Sequence, residues 1–214
     1  FHQPWEKLAS LDLRHGHTTV IDTYLAHGRI QDGDTETMTD AAYTAWLADR
    51  DAGHITVLIA ETREQVTALN ERAHADLLID ETLTQDQEVE LHDGTHAGIG
   101  DTVITRHNDR KITAGNGNDW VRNGDIWTIT DVRGDGSLTI RRPGRSYGGA
   151  IVLPSAYVAE HVDLGYAITA HRAQGVTTDT AHVLVEPTAT RENFYVSMTR
   201  GRASNHAYVI LDRA

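Results

Sequence analysis

An unbroken run of strand-forming residues, followed at once by a helix-start signal, is the feature that most constrains the fold of this chain. Positions 55–60 read Ile-Thr-Val-Leu-Ile-Ala, and a run of this length is typical of a strand buried on both faces of a parallel sheet. Residues 62–65 (Thr-Arg-Glu-Gln) then match a capping box. The helix that this box predicts carries an apolar stripe at Val66, Leu69, Ala73 and Leu77. Strand, cap and helix in this order begin an α/β unit.

The middle of the chain has a different character, because short β-forming segments alternate there with turn residues. The predicted strands are Val103–Thr105, Ile126–Ile129 and Leu138–Ile140, and the predicted turns are Gly115–Asn118, Asn123–Asp125 and Gly134–Gly136. We predict a small antiparallel barrel over residues 98–160. The glycine-rich residues 115–118 are also compatible with a phosphate loop, but the absence of a following helix argues against it.

The α/β pattern occupies both ends of the chain, so residues 1–97 and 161–214 are predicted to form one discontinuous domain. Predicted strands in the second part are Tyr166–Thr169, Ala181–Val185 and Ala207–Leu211, with a helix capped by Thr190 that ends near Met198. In the first part, we expect a helix over residues 17–27 that stops at Gly28. A second helix is expected over residues 40–50, capped by Thr39 or Asp40.

Charge is unevenly distributed. The net charge of −12 argues against a simple nucleic-acid-binding domain. Residues 1–97 hold 6 Lys or Arg and 19 Asp or Glu, whereas residues 98–162 hold 8 and 7. Only Lys7 and Lys111 are lysines, and the arginines that make up the remaining basic residues suit bidentate contacts to phosphate. A GC-rich genome is the alternative explanation for the arginine bias.

Other classes of protein are disfavoured by composition. Cysteine is absent, which leaves no disulfide framework and no thiolate chemistry. No apolar run approaches the roughly 20 residues of a membrane span, and no signal peptide opens the chain. We therefore expect a soluble cytoplasmic protein. The chain lacks an initiator Met, so we interpret it as an excised fragment.

Two segments carry the residue types of phosphate chemistry. In the first, a predicted strand ends in Thr169 and continues into residues 170–175 (Ala-His-Arg-Ala-Gln-Gly). Ligands of open α/β sheets collect at such strand ends, where Thr and His can hold a nucleic-acid backbone without reading bases. In the second, Arg200 and Arg202 follow a short helix. An arginine so placed can stabilise the charge that develops on a transferring phosphoryl group.

These segments resemble motifs of superfamily 1 DNA helicases of the RecD-like branch, and within it the helicase region of conjugative relaxases of the TraI/TrwC type. Residues 167–179 (AITAHRAQGVTTD) resemble motif V, residues 194–202 (FYVSMTRGR) motif VI, and residues 57–70 (VLIAETREQVTALN) motif IV. Residues 100–108 and 120–127 (the latter WVRNGDIW) resemble the SH3-like barrel that this branch inserts in its second motor domain. The similarity covers nearly the whole chain. Motifs V and VI in this order are more specific than motif IV alone.

The resemblance implies a RecA-like α/β domain with an inserted SH3-like antiparallel β-barrel, and it implies roles for individual residues. Arg200 matches the arginine finger and Arg63 the motif IV arginine, the two implied catalytic positions. The implied ATP-binding residues are Gln174, Gly175 and Arg202, and the implied DNA-binding residues are Thr169, His171 and Arg172. The chain departs from the family's motif V pattern at one position, where many relatives have Glu and this chain has Thr177.

The first half of such a motor is missing from this sequence. A P-loop needs Lys after Gly in the pattern G-x-x-x-x-G-K-[ST], and neither Lys7 nor Lys111 follows a glycine. We expect the first motor domain upstream, with ATP and Mg²⁺ bound only in the full-length enzyme. The fragment is expected to be monomeric and inactive alone, with single-stranded DNA and the missing domain as its partners.

The resemblance thus implies the second motor domain of an ATP-dependent 5′→3′ DNA helicase, with plasmid conjugation as the leading context. A RecD-type repair helicase is the first alternative. A non-enzymatic module that binds DNA or another partner and keeps the shape of a motor domain is the second.

Several residues remain open to more than one interpretation. His15 and His17 are the densest histidine pair, but without cysteines or a matching carboxylate pattern we predict no metal site. Trp120 and Trp127 could stack on bases, although core positions are more usual for Trp in a small barrel. The basic run at Arg141, Arg142 and Arg145 fits a solvated hairpin as well as a DNA contact.

Overall fold

The computed structural model describes residues 1–80, 87–114, 119–144 and 149–211. The chain divides into two compact units, which we call the α/β unit (residues 1–67 and 167–214) and the β unit (residues 68–166). The sequence-based boundaries were 97/98 and 160/161, so the β unit begins and ends further out than the predicted insertion. The predicted turn at residues 115–118 and Arg145 lie outside the described residues.

The helices and strands of the described residues alternate at both ends of the chain, and short strands predominate in the middle. In chain order they are α1 (Pro4–His15), α2 (Val20–Ala26), β1 (Ile30–Gly33), α3 (Thr35–Asp51), β2 (Thr56–Ala60), α4 (Arg63–Ile79), β3 (Val89–Glu90), β4 (His96–Ala97), β5 (Thr102–Thr105), β6 (Asp109–Thr113), β7 (Trp120–Val121), β8 (Ile126–Val132), β9 (Leu138–Arg141), β10 (Ile151–Leu153), α5 (Ser155–His161), β11 (Val162–Leu164), β12 (Ala167–Thr169), β13 (Thr178–Val185), α6 (Arg191–Ser197) and β14 (Gly201–Ile210).

The α/β unit is built on a parallel sheet with the strand order β1-β14-β13-β2-β12. Each neighbouring pair is parallel, as expected from strands that alternate with helices. Strand β2, which lies between β13 and β12, is almost fully buried from Val57 to Ala60, which confirms its assignment from the unbroken apolar run. Tyr24 and Trp46 are the largest fully buried side chains contributed by the helices of this unit.

Two of the predicted helix caps are confirmed and one is wrong. The capping box is confirmed, because the Thr62 hydroxyl accepts from the Gln65 N–H and the Gln65 side chain accepts from the Thr62 N–H. The Thr190 cap is also confirmed by its bond from Asn193 N–H. The predicted start of α3 at Thr39 or Asp40 was wrong, since the cap is Asp34, whose carboxylate accepts from the Thr37 N–H at 2.8 Å.

The first helix was missed altogether, and the next one is shorter than predicted. Helix α1 has no side-chain cap, but it begins at Pro4 and ends at Gly16 with φ of 79°, the usual proline-start and glycine-stop pattern. Residues 17–19 are not part of α2, which begins at Val20. The short edge strand β1 was not predicted either, because its sequence Ile-Gln-Asp-Gly carries no clear β pattern.

The β unit contains an antiparallel sheet in the order β10-β9-β8-β5-β11. The three strands predicted within residues 98–160 are present as β5, β8 and β9. Trp127 is a core residue with no exposed surface, and its indole N–H donates to Thr105 Oγ1. Trp120 is only partly buried, and the guanidinium groups of Arg110 and Arg122 both lie over its ring.

The two ends of the β unit lie close together. The side-chain amide of Asn70 donates to the Leu164 carbonyl, so a helix residue near the start of the unit contacts a strand residue near its end. Strands β5 and β11 are antiparallel neighbours, and Gly165 N–H donates to the Thr102 carbonyl. The buried Asp101 carboxylate accepts from the Tyr166 hydroxyl and contacts the His74 ring. Because of that contact, the pKa of His74 is raised.

A row of polar side chains lies within the parallel sheet of the α/β unit. His182 and His206 are register partners on β13 and β14, with nearly parallel rings. The His182 ring contacts both Asp49 Oδ2, at 2.8 Å, and the Tyr208 hydroxyl. Arg29 Nη1 lies 2.6 Å from His206 Nε2, and because a guanidinium only donates, that nitrogen must accept and therefore be unprotonated.

Burial lowers the pKa of both rings of this row. It lowers the pKa of His206 to about 4, helped by the charge of Arg29. Burial also lowers the pKa of His182, although Asp49 opposes the shift. For Asp49 itself, burial acts to raise the pKa, but hydrogen bonds from Thr180 and His182 outweigh it and the net shift is downward. The α/β unit therefore folds around histidines that the unfolded chain would protonate more readily.

Acid should destabilise the protein through His206. Its folded pKa lies below its unfolded value, so the contribution is complete above about pH 6.5 and is lost as the pH falls towards 4. At about 1.4 kcal/mol per pH unit, the loss amounts to at most about 3 kcal/mol. Urea unfolding between pH 7 and 4.5 measures this loss as a fall in the free energy of unfolding. In His206→Gln, the slope of that free energy against pH should be smaller by the equivalent of about one bound proton. The exposed His96→Gln serves as control; equal pH dependence in wild type and His206→Gln would contradict this account.

Candidate functional site

The sequence-predicted site residues all lie in the α/β unit, at the two ends of its parallel sheet. Strands β13 and β14 both start at one end, which we call the amino edge, and β2 and β12 finish at the other, the carboxyl edge. Arg200 immediately precedes β14 at the amino edge, and its carbonyl accepts from the Thr178 N–H. Thr169 is the last residue of β12 at the carboxyl edge. The connection between β12 and β13 runs from one edge to the other.

The Arg200 guanidinium is held by neutral oxygen atoms. Its Nε donates to the Val196 carbonyl at 2.7 Å, and one Nη2 hydrogen goes to Thr199 Oγ1 at 2.7 Å. Nη1 donates to the carbonyls of Ala173 and Val176, at 3.1 and 3.2 Å. No carboxylate pairs with Arg200 among the described residues, and partial burial lowers its pKa. A partly desolvated cation without an anionic partner is suited to receive an external anion.

The acceptors of Arg200 connect two of the sequence motifs. Val196 and Thr199 belong to the segment that resembles motif VI, whereas Ala173 and Val176 flank Gln174 and Gly175 in the segment that resembles motif V. Both flanked residues are exposed, and Gly175 has φ of 89° in otherwise open space, a conformation that side chains other than glycine rarely adopt. The structure therefore places Arg200 beside the turn that carries Gln174 and Gly175.

Arg202 lies near this group but faces away from the sheet core. It is the second residue of β14, its side chain is exposed, and its carbonyl accepts from the His2 N–H at 2.6 Å. Its position two residues beyond Arg200 makes it a neighbour of the amino-edge group, without a contact to Gln174 or Gly175 in the described structure.

The residues predicted to face DNA form a second group, at the carboxyl edge. Thr169 is partly exposed, and its hydroxyl accepts from the Arg172 N–H at 3.3 Å, which starts the turn. His171 is exposed and Arg172 is partly buried. The Ala170 N–H donates to the Ala60 carbonyl, so this group lies directly beside the end of β2.

Arg63 does not join Arg200. Gly201 lies opposite Thr178, whereas Ile59, near the end of β2, lies opposite Val183. At about 3.3 Å per residue, these levels are roughly 17 Å apart along the strands, and α4 begins with Arg63 still further out. The side chain of Arg63 is exposed. The two predicted catalytic arginines are thus at opposite edges of the sheet, and Arg63 lies on the same edge as Thr169.

Sequence reasoning missed the residues that shape the loop after Arg200. Gly201 has no room for a side chain, since a Cβ atom would lie 2.0 Å from the Ser204 carbonyl oxygen and 3.1 Å from Ala181 N. Asn205 is fully buried and binds both the N–H and the carbonyl of Gly201. Glu6, also fully buried, accepts from Asn205. The glycine was visible in the sequence, but the partner of Asn205 lies 199 residues away.

The described residues contain no group of three or more His, Asp or Glu side chains arranged to hold a metal ion. His15 and His17 have ring centroids 5.9 Å apart, and His17 contacts Asp12. None of the helices in the described part of the chain has the length and apolarity that a membrane crossing requires.

Sequence comparison relates the chain to conjugal transfer proteins. It is 28% identical to a protein of Sinorhizobium fredii described as probable conjugal transfer protein TraA, over 209 residues that cover 96% of this chain and 18% of the relative. It is 26% identical to conjugal transfer protein TraA of Agrobacterium fabrum over 211 residues, with the same coverage of both chains. The chain thus spans less than a fifth of these relatives. No family model matches it.

Structural comparison identifies the fold. A crystal structure of Bacteroides Pif1 bound to single-stranded DNA superposes with a TM-score of 0.58 at 15% identity, covering 96% of this chain and 49% of that one. Pif1 of Bacteroides sp. in complex with ADP-AlF4 gives a TM-score of 0.54 at 16% identity, covering 98% and 50%. The α/β unit therefore has the RecA-like fold of this helicase. The sequence similarity to conjugal transfer proteins and the fold shared with a helicase both agree with the resemblance that the motifs indicated.

The tight backbone at Gly201 should make it intolerant of substitution. In Gly201→Ala the new Cβ would clash with backbone atoms that cannot move independently, so we expect a loss of at least about 1–3 kcal/mol of stability. Gly134→Ala is the matched control, because Gly134 has open space around it and should change stability by less than about 0.5 kcal/mol. Chemical unfolding of both variants measures the difference. Equal stabilities would show that the close approach at Gly201 is not rigid.

Proposed function

We propose that this chain, a helicase-like domain related to the conjugal transfer proteins TraA, is the second motor domain of an ATP-dependent 5′→3′ DNA helicase. The observation that carries the proposal is the Arg200 guanidinium, which is partly buried, held by four hydrogen bonds to neutral oxygens and unpaired with any carboxylate among the described residues. Such a group supplies positive charge where a phosphate must be recognised.

In this proposal Arg200 is the arginine finger. Its four bonds fix the plane of the guanidinium and use four of its five N–H groups, so that the remaining Nη2–H is available to a phosphate oxygen. Because the cation is already oriented, it stabilises charge that develops on the transferring phosphoryl group without reorganising. Gln174 and Gly175 would contact the nucleotide from the adjoining turn, and the exposed Arg202 would be a second phosphate contact.

ATP would supply the phosphoryl group. The residues of the amino edge could contact only part of the nucleotide. Among the described residues, none in this group provides a Lys or a carboxylate pair for the β-phosphate or Mg²⁺. A phosphate cradle and the metal-holding carboxylate would therefore come from a first motor domain, for which the more than four fifths of the relatives' length outside the matched region leaves room. The isolated chain is expected to show no ATPase activity, because those groups are needed for phosphoryl transfer.

Single-stranded DNA would bind at the carboxyl edge. Thr169, His171 and Arg172 offer a hydroxyl, an imidazole and a guanidinium beside the ends of β2 and β12, and groups of this kind hold a backbone without selecting a sequence. Arg63, on the same edge, is better placed for this surface than for the nucleotide. Pif1, whose fold this chain shares, has been crystallised with single-stranded DNA.

The β unit would be the SH3-like barrel of the RecD-like branch, inserted between β2 and β12. Its antiparallel sheet and buried Trp127 agree with a small barrel. Among the contexts compatible with such a motor, the relationship to TraA favours conjugation over repair.

Arg200→Ala in the full-length protein should reduce DNA-stimulated ATP turnover by about 10³-fold or more, since arginine fingers contribute roughly 10³–10⁵ in rate. ATP affinity should change much less, because the interaction strengthens in the transition state. Arg200→Lys should restore little activity, as an ammonium cannot replace the planar fork. Steady-state ATPase and nucleotide binding measure both effects.

The matched control is Arg14→Ala, which removes an exposed arginine at the end of α1 and should leave turnover unchanged. Near-normal turnover of Arg200→Ala would refute the finger assignment. A fall in ATP affinity as large as the fall in turnover would instead indicate ground-state binding.

Binding of single-stranded DNA should depend on salt through the carboxyl edge. Each neutralised phosphate contributes a slope of roughly −0.7 to the plot of log affinity against log salt. Arg172→Gln should therefore make the slope shallower by about 0.7, whereas Arg14→Gln should leave it unchanged. Fluorescence anisotropy with a labelled oligonucleotide at several salt concentrations gives the slopes. Unaltered slopes in both variants would remove Arg172 from the DNA surface.

A further inference from the structure

The loop that follows Arg200 is closed by one buried side chain. Asn205 Oδ1 accepts from the Gly201 N–H at 2.7 Å, and Asn205 Nδ2 donates to the Gly201 carbonyl at 3.0 Å. One amide group thus satisfies both backbone groups of the residue next to Arg200. The Arg200 carbonyl accepts from the Thr178 N–H of β13, and the two Asn205 bonds hold the backbone of the next residue, Gly201.

The position of Asn205 is in turn fixed from the other end of the chain. Glu6 Oε1, on α1, accepts from both the backbone N–H and the Nδ2 of Asn205, at 3.1 and 3.0 Å. Both side chains are fully buried. A second link lies close by, where the His2 N–H donates to the Arg202 carbonyl. Residues 2–6 therefore bind residues 201–205 through side chain and backbone.

Burial of the Glu6 carboxylate in this position is energetically unfavourable. Its second carboxylate oxygen, Oε2, is buried and has no hydrogen-bond partner among the described residues. Burial raises the pKa of Glu6, although the bonds from Asn205 and the charge of Arg29 partly oppose the shift. An apolar residue in its place would leave the buried Asn205 N–H and Nδ2–H without this acceptor, so the carboxylate is accounted for by its two bonds from Asn205.

We propose that Glu6 and Asn205 form a latch that positions the Arg200 guanidinium for phosphoryl transfer. This inference rests on the proposed function, in which Arg200 stabilises the transition state. The latch touches no substrate and acts only through the backbone of Gly201 and Arg200. A displacement of about 1 Å at a catalytic group can cost about 10²-fold in rate, so loss of the latch should slow turnover even when the domain remains folded.

The test is steady-state, DNA-stimulated ATPase of the full-length protein with latch variants. Asn205→Ala and Glu6→Ala should each lower kcat by about 10- to 100-fold, with KM for ATP within about threefold of wild type. Glu6→Gln keeps an oxygen that can accept both bonds, so its kcat should remain within about threefold of wild type. Ser10→Ala, a buried hydrogen-bond deletion on the same helix, is the matched control and should not alter kcat.

A double-mutant cycle separates the latch from the finger. If Asn205 acts through Arg200, adding Asn205→Ala to Arg200→Ala should change kcat by less than about twofold. Thermal melting of every variant identifies unfolding, and all assays are run well below the lowest melting temperature. Should Asn205→Ala not fold, the comparison of Glu6→Ala with Glu6→Gln in the two backgrounds carries the same test.

Each outcome has a defined meaning. A low kcat for Arg200→Ala together with a normal kcat for folded Asn205→Ala and Glu6→Ala would overturn the latch and leave the proposed function standing. A similar loss of kcat from Asn205→Ala in the wild-type and Arg200→Ala backgrounds would also overturn it, because the residue would then act elsewhere. Normal turnover of Arg200→Ala would overturn both proposals.

Discussion

The amino edge of the sheet depends on a cation, Arg200, for which the described part of the chain supplies no counter-ion. Within that part, the guanidinium is stabilised by carbonyl and hydroxyl oxygens alone, and such dipoles compensate a partly desolvated charge only when each points directly at it. Four oxygens from two segments must therefore be placed together. This requires the parallel register of β13 with β14, the turn around Gly175 and the C-terminal end of α6. Under the proposed function, a carboxylate partner would neutralise the charge that the phosphate requires.

The eight residues between Thr169 and the start of β13 connect the two candidate surfaces directly. They leave the carboxyl edge beside β2, where the DNA-facing candidates lie, and they present the Ala173 and Val176 carbonyls to Arg200 before β13 begins. A shift of this segment at one end must be accommodated at the other, because its middle is tied to the guanidinium. Under the proposed function, the same short segment contacts the DNA at one end and the arginine finger at the other. Coupling between the DNA surface and Arg200 would not need a longer chain of contacts through the domain.

Local signals predicted much of the fold, and long-range pairings account for most of what was missed. The capping box at Thr62, the Thr190 cap and the buried strand β2 were correct because their causes lie within a few residues. Asp34 was missed as a cap because Thr39 offers an equally good local signal. The separation of Arg63 from Arg200 follows from strand register, which motif order does not encode. The Glu6–Asn205 pair joins the two ends of the chain, and no pattern in a single sequence marks such a contact.

The insertion of the β unit between adjacent strands has a consequence for folding kinetics. Strands β2 and β12 pair directly although about a hundred residues separate them, and closing so long a loop at random carries a large entropic cost that slows folding. Within the β unit, however, Asn70 contacts the Leu164 carbonyl. Once that unit has folded, the chain ends that must meet are already near one another, and the effective loop shrinks to a few residues. A folded β unit thereby lowers the entropic cost of pairing β2 with β12, because it brings the flanking ends of the chain together.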